Sequence, residues 1–280
     1  GRTVATNHAW GSAFRAYGSP QSEFASEVLM DELAEKLGMD PLELRYKNVY
    51  RQGSTTPTGQ VPEVFSLPQL LDTLRPKYQA ALANAKASST AAIKRGVGIS
   101  LGVYGCGLDG PDSAEVDAEL NADNTITIRT TWHDHGQGAD MGTLATAHEA
   151  LRPLGIAPDK IRLVLNDTSV CPTGGPAGGS RSQVVVGQAI KAACDMLLAG
   201  MKKGSGYRSY DDMVADKVAT VYRGKWTAPA NACDENGQGA PFACYMYGVF
   251  MAEVAVDTAT GVTAVEKIDR KSTRLNSSHT

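Results

Sequence analysis

Residues 132–142 read WHDHGQGADMG and connect two predicted elements of secondary structure. Before them, the alternation in TITIRTTWHD (125–134) predicts a strand that forms a hairpin with AEVDAEL (114–120). After them, the sequence predicts a helix that begins at the glycines. The connection can be interpreted as a metal site formed by its two histidines and its aspartate. It can also be interpreted as a loop whose backbone amides hold an anionic ligand.

The loop interpretation is favoured by a second stretch with the same arrangement. PAGGSRSQ (176–183) places glycines and serines directly before a predicted helix at 183–199. Glycine lets backbone N–H groups approach an anion, and the N-terminus of a helix adds a favourable dipole. Two such loops in one domain are able to hold the two ends of one ligand. For each loop alone, a tight turn that packs on its neighbour remains the alternative, because neither is a Walker loop or a GxGxxG fingerprint.

The metal interpretation depends on three histidines. Alternation places His133 and His135 on the same face of a strand end, and His148 is a candidate third ligand. No cysteine or carboxylate at ligand spacing completes the set, and HEALRP lacks the second histidine of a zincin helix. A metal-dependent hydrolase that uses His133, His135 and Asp134 remains an alternative, and so does a catalytically inert anion-binding module.

Composition narrows the class of protein. With 280 residues, of which 42% are hydrophobic, the chain is able to bury the core of one or two domains. The formal net charge of -3 gives no footprint for nucleic acid or an acidic membrane surface, and no uninterrupted apolar run reaches the ~20 residues of a membrane span. Five cysteines without a CxxC pair are typical of a reducing compartment, so we expect a cytoplasmic protein without nucleic-acid or membrane partners.

The remaining pattern predicts an α+β fold with mixed and antiparallel sheets and packed helices. Two capped helices are expected within the first 50 residues, and a third at 66–88 with an interruption at Pro76. A closing hairpin is expected from YGVFMAEVAVD and VTAVEKI. Residues 51–65 are rich in Gly, Pro and Thr, which places a domain boundary between residues 63 and 64.

The end of the chain departs from this pattern. DRKSTRLNSSHT (269–280) is polar and basic, and it ends the alternation of the preceding strand. A disordered tail is one interpretation. The segment also resembles the conceptual translation of a sequencing-adaptor oligonucleotide, so we expect a non-native tail and leave it out of the fold prediction. The native sequence is then expected to continue beyond Ile268.

Four motifs follow one another along the chain: AFRAYGSPQ (13–21), GLDG (107–110), DHGQGAD (134–140) and AGGSRSQVVVGQAI (177–190). Taken together they resemble the large molybdenum-binding subunit of the xanthine dehydrogenase and aldehyde oxidase family, and most closely its bacterial aldehyde oxidoreductases. The resemblance extends over almost the whole chain up to Ile268. It implies a fragment of a two-domain molybdopterin-binding region.

The resemblance also implies how the chain is divided and which residues bind. Residues 1–63 would be the C-terminal end of the first cofactor-binding domain, and residues 64–268 the N-terminal part of the second. The cofactor would be molybdopterin cytosine dinucleotide, whose dithiolene holds the molybdenum, so no side chain is implied as a metal ligand. Tyr17 and Leu108 are implied to line the substrate channel. The residues implied to contact the cofactor are Ala13, Phe14, Arg15, His135, Gly136, Gln137, Gly138, Gly178, Gly179, Ser180, Arg181, Ser182 and Gln183.

The implied reaction is the oxidation of an aldehyde to a carboxylic acid with water at the molybdenum. Electrons would leave to an acceptor through [2Fe-2S] clusters that belong to other parts of the intact protein, which is expected to be a homodimer. The family's glutamate base lies in a GxGE motif that this sequence lacks. It is expected beyond Ile268, and no catalytic residue is assigned within the chain. We expect the chain by itself to bind no cofactor and to oxidise no aldehyde.

Overall fold

The computed structural model describes residues 18–272, together with Ala5, Asn7 and Ala16, and for residues 271 and 272 it describes the backbone only. The chain divides into two compact units. The first unit contains the described residues up to Thr56, Val61–Tyr104 and those from Tyr245 onward. The second unit contains Pro57–Gln60 and Gly105–Cys244.

The described residues begin with three helices, and strands and further helices follow. The helices are α1 (Ser19–Leu37), α2 (Pro41–Asn48), α3 (Leu67–Ser88), α4 (Ala139–Ala150), α5 (Gly187–Met201) and α6 (Tyr210–Ala215). The strands are β1 (Ile93–Cys106), β2 (Ser113–Leu120), β3 (Ile126–Thr130), β4 (Ile161–Leu165), β5 (Lys202–Lys203), β6 (Gly206–Tyr207), β7 (Val221–Thr227), β8 (Cys244–Asp257) and β9 (Thr263–Ser272). Short 3-10 turns occupy Arg152–Leu154 and Pro158–Lys160, and a π-helical turn at Ser182–Val186 leads into α5.

The first unit combines α1, α2 and α3 with a sheet of order β1-β8-β9. β8 and β9 pair in antiparallel fashion, which confirms the predicted closing hairpin. One face of α3 supplies Leu71, Leu74 and Tyr78 to a buried cluster that also contains Val249 and Met251 of β8. These apolar residues recur along α3 at helical spacing, so they lie on one face of the helix, and that face contributes to the core.

The prediction that Pro76 interrupts the third helix is wrong, because α3 is continuous from Leu67 to Ser88. Proline removes one backbone hydrogen bond from a helix interior. Pro76 is exposed, and so is Asp72, whose carbonyl loses its partner, while Leu74 and Tyr78 on either side of the proline remain buried. The packing of the buried face therefore outweighs the local cost of the proline.

A buried arginine joins the helices of the first unit. Arg45 of α2 donates from Nε to Glu27 Oε2 at 2.7 Å and from Nη1 to Asp31 Oδ1 at 2.7 Å, both on α1. Glu27 Oε2 also accepts the Leu101 amide of β1 at 3.1 Å. Since a buried guanidinium must be paired to be tolerated, this arrangement fixes α1 and α2 relative to β1.

The second unit is built on a four-stranded sheet of order β4-β3-β2-β7. β2 is antiparallel to both β3 and β7, whereas β3 and β4 are parallel and are connected through α4. The sheet is therefore mixed, and the predicted α+β class with mixed and antiparallel sheets is confirmed. The predicted hairpin of β2 and β3 is confirmed as well, with Ala118 opposite Ile128.

Helix α5 packs directly on this sheet. Its apolar face contributes Ala189, Ile190 and Leu197 to the same buried cluster as Val116 and Ile128 of the sheet. Among the described residues, Ser182–Met201 is the one helical segment long and apolar enough to cross a membrane by length and composition. Half of its most apolar window is buried inside the structure, as expected for the core helix of a globular unit.

Two sequence-based boundaries are not settled by this architecture. The compact units interleave along the chain, so the cofactor-binding domains predicted at 1–63 and 64–268 stay a prediction. Strand β9 continues to Ser272, four residues past Ile268, and Lys77 Nζ of α3 donates to Asp269 Oδ2 at 2.8 Å. The beginning of the predicted tail thus belongs to the sheet, and residues 273–280 lie outside the described part.

The contact between α5 and β7 gives a test of this packing. A Cβ at Gly224 would lie 2.2 Å from the Ala193 nitrogen and 2.6 Å from the Ala189 oxygen, both of which are backbone atoms. We expect Gly224→Ala to destabilise the second unit by about 1–3 kcal/mol, the usual range for overpacking, in urea unfolding. Gly206→Ala is the control, since a Cβ there would lie 4.0 Å from the Lys203 carbonyl oxygen, an ordinary van der Waals distance. Equal unfolding midpoints for the two variants would contradict the close contact.

Candidate functional site

The connection between β3 and α4 is organised around the Asp134 carboxylate. Its Oδ1 accepts from the amides of Gly136 at 2.7 Å and Gly138 at 3.2 Å, and its Oδ2 accepts from the Asp140 amide at 3.1 Å. Gly136 and Gly138 have φ values of 94° and 85°, a left-handed conformation that glycine adopts without strain. An internal carboxylate therefore occupies amides that the sequence assigned to an external anion.

These hydrogen bonds also change the acidity of Asp134. The backbone amides of Asp140 and Gly136 lower the pKa of the carboxyl below its ordinary value of 3.8, against a smaller opposing effect of desolvation. Hydrogen bonds to the charged form favour that form. Asp134 is consequently an anion at neutral pH and caps the first turn of α4.

Gln137 closes the same loop with its side chain. Its Oε1 accepts the His135 amide at 2.5 Å, and its Nε2 donates to the His133 carbonyl at 3.0 Å. The structure thus brings the predicted residues His135, Gly136, Gln137 and Gly138 into one exposed loop. A ligand that used the amides of His135, Gly136 or Gly138 would have to displace Gln137 or Asp134.

The predicted histidine ligands are only partly brought together. The ring centroids of His133 and His135 lie 6.3 Å apart, with planes tilted by 40°. His148 lies farther along α4, and its Nε2 is 3.1 Å from the Ile156 carbonyl oxygen. Within the described part of the chain, no group of three or more His, Cys, Asp or Glu side chains is placed to hold a metal ion. The pair alone is an incomplete ligand set for a catalytic zinc, which takes three protein ligands.

The second predicted loop depends on a buried arginine. The side chain of Arg181 is 2% exposed, and its Nε and Nη2 each donate to Asp112 at 2.8 Å. Nη2 also donates to the Ser113 carbonyl at 2.9 Å, and Nη1 donates to the carbonyls of Pro176, at 3.0 Å, and Gly174. All five N–H donors of the guanidinium are therefore used within the chain.

This arrangement shows what the side chain of Arg181 contacts within the chain. The resemblance implies that Arg181 contacts the cofactor, and this contact stays a prediction. The side chain is buried, and its donors are bonded to groups of the chain itself. Its observed partners are a carboxylate and three carbonyls of the surrounding loops. Arg181 determines the shape of the loop at 174–182.

The groups left for a ligand are backbone and hydroxyl groups. Ser180 is exposed and has a φ of 58°, an uncommon conformation for a residue with a Cβ and one that is enriched at ligand-binding sites. Within the described residues, the hydroxyls of Ser180 and Ser182 have no hydrogen-bond partner. Gly178 and Gly179 precede them, and the chain then enters the π-helical turn at Ser182–Val186, a feature often found at functional sites.

Gln183 connects the second loop to α4. Its Nε2 donates to Thr146 Oγ1 at 3.2 Å, and a Cβ at Gly142 would lie 3.5 Å from its Oε1. The same Cβ would lie 3.6 Å from the ring of Trp132, the residue that opens the first loop. The two predicted loops therefore meet at the start of α4 and form one candidate site.

The other predicted site residues have mixed outcomes. Ala13, Phe14, Arg15 and Tyr17 lie outside the described residues. Leu108 is 41% exposed. Its loop adjoins the second loop, since the Gly107 amide donates to the Gly179 carbonyl at 2.7 Å. Sequence reasoning missed Asp112, whose partner lies 69 positions away, and no local pattern pairs the two residues.

Comparisons with known proteins identify the family of the chain. Models of the molybdopterin cofactor-binding domain match residues 73–271 and residues 1–49. The chain therefore belongs to the molybdopterin-binding domains of the xanthine dehydrogenase and aldehyde oxidase family, which confirms the resemblance found in the sequence.

Individual relatives refine this assignment. The chain is 64% identical to the aldehyde oxidoreductase of Megalodesulfovibrio gigas over 95% of its own length and 30% of that protein. The crystal structure of the aldehyde oxidoreductase from Desulfovibrio desulfuricans is 62% identical with a TM-score of 0.93, and the match covers 97% of this chain and 30% of that one. Quinoline 2-oxidoreductase from Pseudomonas putida, at 18% identity and a TM-score of 0.70, shares the fold over 92% of this chain and 37% of its own.

The Asp134 network makes a prediction about pH. Because its folded-state pKa is lowered, Asp134 stabilises the fold above pH 3.8, and this contribution is lost as the pH falls through the folded-state pKa. We expect Asp134→Asn to lower the urea midpoint near neutral pH, and the difference from the wild type to shrink in acid. Glu235→Gln, at an exposed carboxylate of the same unit, is the control. A deficit that is independent of pH would contradict the assignment.

Proposed function

We propose that the chain is part of an aldehyde oxidoreductase that converts an aldehyde and water to a carboxylic acid at a molybdenum–pterin centre. The observation that carries this proposal is the meeting of two glycine-rich loops at the start of α4, around Gln183 and Trp132. The substrate class is supported by the identity of 64% to an aldehyde oxidoreductase. The chain spans 30% of the length of that relative, so the activity is proposed for the longer protein.

The residues of the site fit such a cofactor. Three buried polar atoms at the start of α4 lack a hydrogen-bond partner within the described residues: Trp132 Nε1, Asp140 Oδ1 and Thr143 Oγ1. Buried polar atoms without partners are rare, and a ligand or water normally satisfies them. A pterin offers both N–H donors and acceptors, which matches this mixture of donor and acceptor atoms. The bound cofactor would supply the two-electron chemistry, and the protein would supply position and electrostatics.

Within this proposal the loops have different tasks. The amides and hydroxyls of Gly178, Gly179, Ser180 and Ser182 lie before a helix N-terminus and would hold the pyrophosphate of the cytosine dinucleotide form of the cofactor. The loop closed by Asp134 and Gln137 faces the pterin end. Leu108 contributes an apolar wall to the path of the aldehyde. The base that acts on the reacting water is a glutamate outside this chain.

Electron transfer and assembly are also proposed for the longer protein. Electrons leave through [2Fe-2S] clusters held outside this chain and reach a separate acceptor. This division is supported by the sequence, whose five cysteines include no CxxC pair of the kind that holds an iron–sulfur cluster. The intact enzyme is proposed to be a cytoplasmic homodimer.

The test uses the full-length protein that carries this segment. We expect it to contain stoichiometric molybdenum, to release CMP when the cofactor is hydrolysed, and to reduce a dye when an aldehyde is added. Replacing both His133 and His135 by alanine should leave the molybdenum content unchanged and lower the turnover only modestly, because neither side chain is a ligand of the molybdenum. The proposal would be contradicted if the full-length protein contained zinc in place of molybdenum and the double variant lost that zinc. Such a result would favour a metal-dependent hydrolase.

A further inference from the structure

We propose that the ion pair of Asp112 and Arg181 is a positioning unit that couples the wall of the substrate channel to the loop that binds the cofactor nucleotide. The channel loop is defined as residues 107–112 and the nucleotide loop as residues 174–182. This inference rests on the proposed function for the identity of the ligands. The coupling of the two loops stands on the geometry alone.

The Asp112 carboxylate contacts both loops at once. Its two oxygens accept from Nε and Nη2 of Arg181 at 2.8 Å each, which is the bidentate arrangement that a planar guanidinium favours. Oδ2 also lies 3.4 Å from the amide nitrogen of Leu108, which donates to it. A single buried carboxylate thereby connects the channel residue Leu108 to the nucleotide loop.

The backbones of the two loops touch beside this ion pair. The Gly107 amide donates to the Gly179 carbonyl at 2.7 Å. A Cβ at Gly179 would lie 2.6 Å from the Gly107 carbonyl oxygen, so the position tolerates only glycine. The three remaining donors of Arg181 bond to the carbonyls of Ser113, Gly174 and Pro176, and the last two of these set the curvature of the nucleotide loop.

The burial of the pair explains why the two loops should respond together. The side chains of Arg181 and Asp112 are 2% and 6% exposed. A buried charge that loses its partner is strongly unfavourable, so neither residue moves without the other. A shift of Asp112 would move Leu108, and a shift of Arg181 would move the amides before Ser182. Lysine cannot replace Arg181, because an ammonium group lacks the planar fork and two of the five donors.

The experiment compares variants of the full-length protein by hydrogen–deuterium exchange and by cofactor content. Arg181→Lys and Asp112→Asn each disturb one side of the pair. The double variant Asp112→Leu with Arg181→Met removes both charges and is expected to fold, since apolar replacement of a buried pair is often tolerated. The control is Arg223→Lys, which disturbs the pair of Arg223 and Asp117, also bidentate at 2.7 and 2.9 Å, with Arg223 56% exposed.

We expect each variant of the buried pair to speed exchange in both the channel loop and the nucleotide loop, even where one residue alone is changed. Molybdenum and CMP content should fall about 10-fold or more, the usual effect of losing a supporting partner, and the control should retain both. In molecules that keep the cofactor, KM for a bulky aldehyde should change more than kcat, because Leu108 shifts.

Faster exchange in only one of the two loops would overturn the coupling. Unchanged cofactor content and KM in all three variants would overturn the positioning role. The role would also be overturned if cofactor content fell in step with the melting temperature, in the Arg223→Lys control as much as in the variants of the buried pair. A wild-type protein without molybdenum would instead refute the proposed function, and the exchange data would still decide whether the loops are coupled.

Discussion

A guanidinium group removed from water must have its donors bonded, and at Arg181 this requirement determines the candidate site. The arginine reaches Asp112 and three carbonyls from a position just before a helix, so the chain must curve around it. The curvature brings Gly179 against Gly107 and turns Ser180 outward in a left-handed conformation. The groups of the loop that remain exposed are those that form no hydrogen bond with the Arg181 guanidinium.

The first loop follows the same principle with the opposite charge. Asp134 accepts from amides at the start of α4, and Gln137 accepts from the His135 amide nearby. In both loops a charged side chain organises the backbone from within, and it is not offered to a ligand. Arg45 has the same function in the first unit, where it fixes α1 and α2 through two carboxylates. The polar residues that stand out in the sequence are thus partly structural.

Much of the fold could be predicted because it has periodic apolar patterns. The hairpin of β2 and β3, the helix after the glycines and the closing hairpin all bury one face. Strand β7 carried only a weak signal. Its inward positions are Tyr222, Gly224 and Trp226, of which the glycine alone is fully buried and contributes no apolar side chain to the alternation. The two loops were located from glycine and helix-start chemistry. The role of Arg181 was not, because its partner Asp112 is remote in sequence and burial cannot be read from composition.

The most direct measurement is the distance from the Arg181 guanidinium to the nearest phosphate oxygen in a crystal structure of the full-length protein with its cofactor. We expect the guanidinium to remain on Asp112, with no phosphate oxygen within hydrogen-bond distance and the pyrophosphate at the amides and hydroxyls of Gly178–Ser182. A guanidinium that has left Asp112 and binds a phosphate oxygen would contradict the account of how this loop is built.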